Sequence, residues 1–268
     1  AKNLYENAPK DEMRETFKIP DFIQKMIEKN WLGNKTGQGF YKRIKSAEGK
    51  ETLALDYKTL EYHPARKIKY PSLDAAKAAA GGANNSKALV YAEDRAGQFA
   101  WKVVSDSMLY AARRIPAIAD DVYNVDNAMK LGFNWELGPF ETWDAIGVEG
   151  SVARMKKEGK AIPPLVEKLL AKEQKTFYLR KDGQISFFDL KTGGYRKVEE
   201  KPQIILLSSL KERKKLIKSN TGASLIDMGD GVACLEFHTF MNAIGQEIIE
   251  MIHESLKIVE KEFVGMVI

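Results

Sequence analysis

The chain repeats itself once, and the repeat limits what it can fold into. Lys35-Thr36-Gly37-Gln38-Gly39-Phe40-Tyr41-Lys42 resembles Lys191-Thr192-Gly193-Gly194-Tyr195-Arg196-Lys197. Each copy follows a proline and a set of apolar residues at helical spacing: Pro20 with Phe22, Ile23, Met26 and Ile27, and Pro164 with Leu165, Val166, Leu169 and Leu170. Such spacing lines one face of a helix. Proline suits the first helical position because the N–H it lacks would have no intrahelical partner. The proline-to-motif distance is 15 residues in the first copy and 27 in the second. Phe177–Phe188 accounts for the extra 12, as two short strands around Asp182-Gly183, a pair suited to a two-residue hairpin turn. Recurrence of helix and motif together predicts two copies of one unit rather than a chance match in a lysine-rich chain. The second copy follows helical patterns over residues 93–150. The first has no such counterpart before Ala1, so a half copy, and a chain drawn from a longer protein, are expected.

Between the copies, Leu53, Leu55 and Tyr57 suggest a strand, Pro64 and Pro71 interrupt the chain, and Asp74–Ala80 reads as a short helix. Gly81–Ser86 reads as a surface loop. Glu93–Arg114 predicts a long helix with Ala96, Phe99, Ala100, Val103, Val104, Met108 and Ala111 on one face. A second helix is expected from Ile118 to Met129, and Phe140, Trp143 and Ile146 resume helical spacing after Gly138-Pro139. Beyond the second copy, Leu210–Ile217 reads as a linker helix and Asn220-Thr221-Gly222 as a loop. Leu225–Met228 and Val232–Phe237 flank Asp230-Gly231, another hairpin signal. Ile244, Ile248, Ile249, Ile252, Leu256 and Val259 predict a helix, and Phe263–Ile268 a buried strand. A strand–helix–strand unit of about 45 residues is too small to bury a core alone, so it calls for more chain or a partner.

Composition excludes several classes. A single cysteine, Cys234, leaves no disulfide framework or cysteine-based zinc cluster and fits a reducing, cytoplasmic setting. No uncharged run exceeds about ten residues, against the roughly 18–20 of a membrane helix, and no secretory leader is recognisable. Net charge is +5, yet Lys172–Lys218 carries thirteen Lys/Arg against six Asp/Glu, a local +7 that leaves −2 elsewhere. Such a segment can attract phosphates. Its aromatics alternate as strand residues do and match no RNA-binding signature, so a solvated surface is expected and nucleic acid is not.

Few residues suggest chemistry. Gly37-Gln38-Gly39 precedes a strand-like Phe40-Tyr41 rather than a helix, which makes it a structural turn and not a dinucleotide site. His63 reads as a loop surface residue, and His253 lies on the polar side of its helix. His238 ends a strand just before Met241-Asn242-Ala243, a placement suited to lining a ligand site. Cys234 alternates with Ala233 and Leu235 as core. No histidine–carboxylate set has metal-ligand spacing.

These segments together resemble known enzymes. Trp31-Leu32-Gly33-Asn34-Lys35-Thr36-Gly37-Gln38-Gly39-Phe40-Tyr41 is similar to the end of the 3-hydroxyacyl-CoA dehydrogenase C-terminal domain. Asp126-Asn127-Ala128-Met129-Lys130-Leu131-Gly132-Phe133, with Leu137-Gly138-Pro139-Phe140-Glu141-Thr142-Trp143-Asp144, resembles that domain's second hallmark. The family carries this helical domain twice in tandem. Gly229–Phe237 with Met241-Asn242-Ala243 resembles the start of an enoyl-CoA hydratase (crotonase) domain. The order is that of bifunctional β-oxidation proteins, and the resemblance covers essentially the whole chain.

The resemblance implies a mainly α fold: a tandem helical repeat with short strands and hairpins, then the incomplete βαβ start of a crotonase-like α/β fold. Its implied divisions are 1–50 (remainder of the first repeat), 51–92 (connection), 93–202 (second repeat), 203–222 (linker) and 223–268 (hydratase start). It implies an acyl-CoA substrate, hydration of 2-enoyl-CoA, and oxidation of 3-hydroxyacyl-CoA with NAD as cofactor. The NAD site and the catalytic His–Glu pair would precede Ala1, an active-site asparagine would fall in the missing half copy, and the hydratase oxyanion hole would follow Ile268. Trp101 and Lys102 stand near the corresponding start of the second copy's long helix, so that copy is expected to be non-catalytic. No catalytic, cofactor-binding or metal residue is therefore assigned. Met241, Asn242 and Ala243 are the expected coenzyme A contacts, and the chain alone is expected to be inactive. Contacts with neighbouring domains or within a homo-oligomer are expected, without a membrane span. The alternative from another class is a non-catalytic helical module for dimerisation or partner binding.

Overall fold

The computed structural model describes residues 2–46, 49–79, 82–199 and 203–268. The chain divides into two units, residues 1–74 and 75–268.

In the first unit, α1 (Lys2–Asn7) and a 3-10 turn precede α2 (Asp21–Glu28). Pro20 is the N-cap of α2, extended at φ −60° and ψ 146°, one position ahead of the helix it was expected to open. Then β1 (Tyr41–Ser46), β2 (Gly49–Leu55) and β3 (Tyr62–Pro64) form an antiparallel meander. Edge-on and tilted aromatic contacts hold helix to sheet: Phe22 against Phe40 (6.4 Å) and Tyr57 (5.6 Å), and Trp31 against Tyr62 (5.5 Å). The Lys35-Thr36-Gly37 motif is a tight turn that pairs Gly33 with Gln38, with Gly37 left-handed at φ 84°.

The helix α3 (Pro71–Ala78) crosses the division, and α4 (Gly82–Val90) occupies most of the stretch expected as a loop. Its polar residues Asn85 and Ser86 are half-buried, and Lys87 is exposed. The helix is fixed at its far end, where Val90 is buried and the Tyr91 hydroxyl donates to the Ile146 carbonyl at 3.1 Å. Next come α5 (Arg95–Arg113), α6 (Val122–Phe133), α7 (Pro139–Ile146), α8 (Val148–Lys157) and α9 (Pro164–Ala171). Asp94 and Asp121 cap α5 and α6, accepting from Gly97 N and Asn124 N at 2.9 Å each. The core of this helical body is Met108, Phe140, Trp143, Ile146, Met155, Leu165, Leu169, Phe177 and Phe188.

The buried face of α5 differs in part from the expected one. Gly97, Trp101, Ser105, Met108, Leu109, Ala111 and Ala112 face inward, so Met108 and Ala111 of the expected face are buried and Ala100 and Val104 pack against the core, whereas Phe99 and Val103 are exposed (71% and 48%). Gly97, outside the expected face, marks a close approach: a Cβ on it would lie 2.3 Å from the Ala92 carbonyl oxygen.

After α9, β4 (Tyr178–Lys181), β5 (Gln184–Asp189) and β6 (Gly194–Lys197) form a second antiparallel meander. Asp182 and Gly183 turn its first hairpin with φ of 51° and 74°, the left-handed pair that the sequence predicts. The Lys191-Thr192-Gly193 motif again turns the chain, with Gly193 at φ 70° and Asp189 paired with Gly194. In both copies the paired residues are five apart and the glycine is the one just before the second of them.

Residues 203–222, expected as a linker, contain α10 (Leu207–Glu212) and β7 (Leu216–Ser219); Leu216 and Ile217, expected to be helical, lie in that strand. The strand β7 edges a sheet of order β10-β9-β8-β7, with β8 (Ala223–Gly229), β9 (Val232–Phe237) and β10 (Gly265–Val267). Asp230 and Gly231 turn β8 into β9 at φ 50° and 75°. The helix α11 (Gln246–Glu262) then crosses over to place β10 parallel to β9. Ile248 and Met251 pack on Ala223, Leu225, Ala233 and Leu235. Ile244, expected on the helix face, precedes α11 and is 66% exposed; Val264 and Ile268, expected in a buried strand, are exposed as well. Among the described residues helix accounts for 46% and sheet for 20%.

Candidate functional site

Met241, Asn242 and Ala243 lie in the connection from β9 to α11. That is the carboxyl end of a strand, the side on which open α/β sheets take ligands. Phe240–Asn242 form a 3-10 turn in which Met241 and Asn242 are left-handed, at φ 57° and 51°. Asparagine tolerates that backbone; methionine gains nothing from it, and strain of this kind, about 1–3 kcal/mol, gathers where a side chain must be presented. The Thr239 hydroxyl donates to the Ala243 carbonyl at 2.8 Å and closes the loop. Phe240 (88%) and Met241 (85%) stand out into solvent. Asn220 ties the base down: its Oδ1 accepts from Gly222 N and Ala223 N at 2.9 Å each, and its Nδ2 donates to the Glu247 carbonyl at 2.6 Å. The result is an apolar, presented loop without a nucleophile, suited to binding rather than bond-making.

His238 does not join that loop. Its Nε2 lies 3.2 Å from Ser224 Oγ, which lies 2.9 Å from Ser219 Oγ, so the imidazole is engaged with the neighbouring strands. His253 is exposed on α11, and His63 is exposed in β3, 4.0 Å from Glu61. Cys234 is buried in β9, where burial pushes its thiol pKa up. Among the described residues no three His, Cys, Asp or Glu side chains form a possible metal cluster, and no helix is long and apolar enough to cross a membrane.

The second hallmark proves to be a capping network. Gly138 is the N-cap of α7 and has no side chain to offer the first turn. Asp126, fully buried on α6, supplies the acceptors instead: Oδ1 takes Phe140 N, and Oδ2 takes Glu141 N and the Tyr178 hydroxyl, at 2.9, 2.9 and 2.8 Å. Glu141 reaches back to Gly138 N at 3.0 Å and pairs with Lys130 at 2.7 Å. A Cβ on Gly138 would lie 2.4 Å from Asp126, which is why only glycine fits. Asp144, at the other end of α7, accepts from Phe177 N and Tyr178 N at 2.7 and 2.9 Å, fixing the start of β4. Burial, outweighing these hydrogen bonds, raises the pKa of Asp126 to about 6 and of Asp144 to about 7. Neither carboxylate has room for a substrate; both hold backbone.

Trp101 fills the inner face of α5, 3% exposed. Its indole N–H donates to Glu158 at 2.7 Å, and the Arg154 guanidinium stacks over the ring at 4.2 Å. Lys102 points away, paired with Asp106 at 2.9 Å. The glycines of Gly37-Gln38-Gly39 serve the turn: a Cβ on Gly39 would lie 2.8 Å from Gly33 Cα, and no helix follows to offer its N-terminus to a pyrophosphate.

Six of the thirteen basic residues of the segment face acids from elsewhere in the chain. Lys175 faces Glu149, Lys191 faces Asp120, Arg196 faces Asp121, Lys211 faces Glu236, Lys215 faces Asp227 and Lys218 faces Glu254. All six acids lie outside residues 172–218, which is where the linear charge count left an acidic balance.

No protein-family model and no solved structure matches the chain. Curated relatives do. All 268 residues align at 47% identity with a Bacillus subtilis (strain 168) protein named "Probable 3-hydroxyacyl-CoA dehydrogenase", covering 33% of it. Over 256 residues, 95% of the chain, identity is 23% with a Rickettsia prowazekii (strain Madrid E) protein named "Putative fatty acid oxidation complex trifunctional enzyme", covering 31% of it. A protein of the same name from Rickettsia felis is 25% identical over 241 residues, 90% of the chain and 29% of the relative. The chain therefore spans about a third of the length of the curated relatives it matches. Their names support the 3-hydroxyacyl-CoA dehydrogenase resemblance and do not bear on the crotonase-like start.

Proposed function

We propose that this chain is an internal part of a fatty-acid β-oxidation protein that carries out NAD-dependent oxidation of 3-hydroxyacyl-CoA coupled to enoyl-CoA hydration. The observation that carries the reading is 47% identity, sustained over every residue of the chain, to a protein named as a 3-hydroxyacyl-CoA dehydrogenase. On this reading residues 93–202 are a second dehydrogenase C-terminal repeat and 223–268 the beginning of a hydratase domain. The residues present do not fit NAD. The Gly37-Gln38-Gly39 turn leads into a strand and uses its glycines for its own backbone turn and close approach, so on this reading nucleotide binding belongs to other parts of the parent protein.

The work of this chain is then structural and substrate-positioning. Asp126, Gly138 and Asp144 lock α6, α7 and β4 into one body. Trp101 occupies the inner face of α5 and leaves no open polar position there, which supports a non-catalytic second repeat. The Met241–Ala243 loop would meet the coenzyme A moiety of an acyl-CoA.

Two measurements test this. The purified chain, given 3-hydroxyacyl-CoA and NAD, is expected to yield no NADH; its appearance at 340 nm would end the claim that catalysis lies elsewhere. Titration with coenzyme A is expected to release heat that Met241→Ala and Asn242→Ala reduce, and heat unchanged by both would remove the loop from the site. A second reading, a dimerisation module, draws on the exposed apolar run Leu131 (87%), Phe133 (70%) and Trp135 (44%). Tight oligomers by light scattering, indifferent to coenzyme A, would favour it.

A further inference from the structure

The 12-residue difference between the two copies has a specific location in the fold. In the second copy the β4–β5 hairpin stands between α9 and the Lys-Thr-Gly turn, and its two ends lie in different surroundings. Its base is fixed in the helical core: Phe177, Phe187 and Phe188 are buried, and Asp144 holds the first backbone N–H groups of the hairpin. Its tip leaves that core, with Leu179 46% exposed, and meets α10. Arg213 Nε donates to the Asp182 carbonyl at 3.1 Å, and Arg180 faces Glu212 at 3.6 Å. Gly183 sits so close that a Cβ there would lie 2.6 Å from the Ser209 carbonyl oxygen.

The helix α10 is in turn tied to the C-terminal sheet. Lys211 pairs with Glu236 on β9, and Asp227 N on β8 donates to the Lys215 carbonyl at 2.9 Å while Lys215 Nζ pairs with Asp227 at 2.8 Å. Glu236 lies three residues before Thr239, where the presented loop begins. The polypeptide joins the helical body to the C-terminal sheet once, through the stretch between β6 and α10. A single covalent connection leaves orientation free, whereas a second, separate attachment fixes it.

We propose that the β4–β5 hairpin is a strut: it docks through its Asp182-Gly183 tip on α10 and sets the orientation of the C-terminal α/β unit, and of its 239–245 loop, on the helical body. The partner surface is α10 of the same chain, and the inference stands independently of the proposed activity. The tip contacts are half-exposed and polar, and such pairs contribute little singly. The close approach at Gly183 and the two arginine contacts together make the fit, and the close approach makes Gly183 the first place to test it.

Spin labels at Lys157→Cys on α8 and Lys257→Cys on α11, with Cys234→Ala, would report the distance between the two parts in the 268-residue chain. A narrow distribution is expected for the parent and a loss of that narrowness for Gly183→Asn. Asparagine accepts a left-handed backbone, so the turn survives while its Cβ collides with Ser209. Gly193→Asn serves as control: it places the same residue in the other left-handed turn of this sheet, where the nearest atom is a side-chain carbon of Lys168 at 2.9 Å rather than backbone. It is expected to leave the distribution narrow. If Gly183→Asn fails to fold by near-ultraviolet circular dichroism, the double variant Arg180→Ala, Arg213→Ala carries the same expectation. A parent distribution that is already broad, or one that stays narrow when the tip contacts are removed, would overturn the strut.

Discussion

Asp126 shows what a residue can do that its neighbours in sequence do not announce. Gly138-Pro139 marks the start of α7 legibly, because proline fits the first position of a helix and the chain turns before it. The missing capping side chain is not legible, since the acceptor comes from a different helix 12 residues back. Asp126→Ala should leave Phe140 N, Glu141 N and the Tyr178 hydroxyl without acceptors, a loss of about 2–4 kcal/mol from a cap and buried unpaired donors together. Urea unfolding followed by tryptophan fluorescence would measure it, and a midpoint within error of the parent would dismiss the capping role. The same buried carboxyls predict a pH dependence. Asp126 and Asp144 hold their protons up to about pH 6 and about 7 in the folded chain, against a usual 3.8. The folded state binds protons more readily over that interval, so their contribution is complete below pH 3.8 and is lost as pH rises through 6 and 7. Asp144→Asn should flatten that decline between pH 5 and about 7.5, read as thermal midpoints across pH; an unaltered slope would count against it.

Among the elements, those whose signals are local were readable and those whose signals are distant were not. Asp182-Gly183 and Asp230-Gly231 predict their hairpins because a left-handed pair at a two-residue turn is a property of those residues alone. The apolar stripes of α7 and α9 were equally plain, as Phe140, Trp143, Ile146, Leu165, Val166 and Leu169 are all buried. The face of α5 is legible only in part, because apolar character alone does not separate Met108 and Ala111, which are buried, from Phe99 and Val103, which are not. Gly97 lies against Ala92 and Ser105 accepts from Lys160 Nζ, while Phe99 and Val103 are exposed. That orientation is testable by a pair of substitutions. Trp101→Ala, which removes a buried ring and the hydrogen bond to Glu158, should cost about 3–5 kcal/mol. Phe99→Ser, on the exposed face, should change stability by less than about 0.5 kcal/mol. Denaturant midpoints that rank the two in the opposite order would restore the sequence reading of this helix. The presented loop at 241–243 was placed correctly between strand and helix. Its left-handed Met241 and Asn242 carry no local signature, since neither residue type demands that backbone.

At the scale of the whole chain, the charge asymmetry and the division into units are both consequences of distant contacts. A count along the sequence assigns +7 to residues 172–218, yet the acids that face six of its thirteen basic residues lie on β8, β9, α8, α11 and before α6. Linear composition could not show that, because pairing is decided by folding. The two units differ as sharply in what they bury. Among the described residues of 2–74, Met26 is the one buried apolar side chain, and its neighbours Ile27, Leu32, Phe40 and Tyr41 stay exposed. Residues 75–268 hold both hydrophobic clusters, including Trp143, Phe140 and Phe177 without solvent contact. Hydrogen exchange depends on the free energy of local opening, which few buried contacts keep low. Backbone amides of α2 and β1–β3 should therefore exchange at least about a hundredfold faster than those of α7 and α9, a difference of roughly 3 kcal/mol in opening free energy. Exchange followed by mass spectrometry at neutral pH reads both sets in one sample. Equal protection would mean that contacts beyond those of Met26 and the aromatic pairs hold the first unit, and the stability of the chain would then have to be treated as one cooperative whole rather than as two.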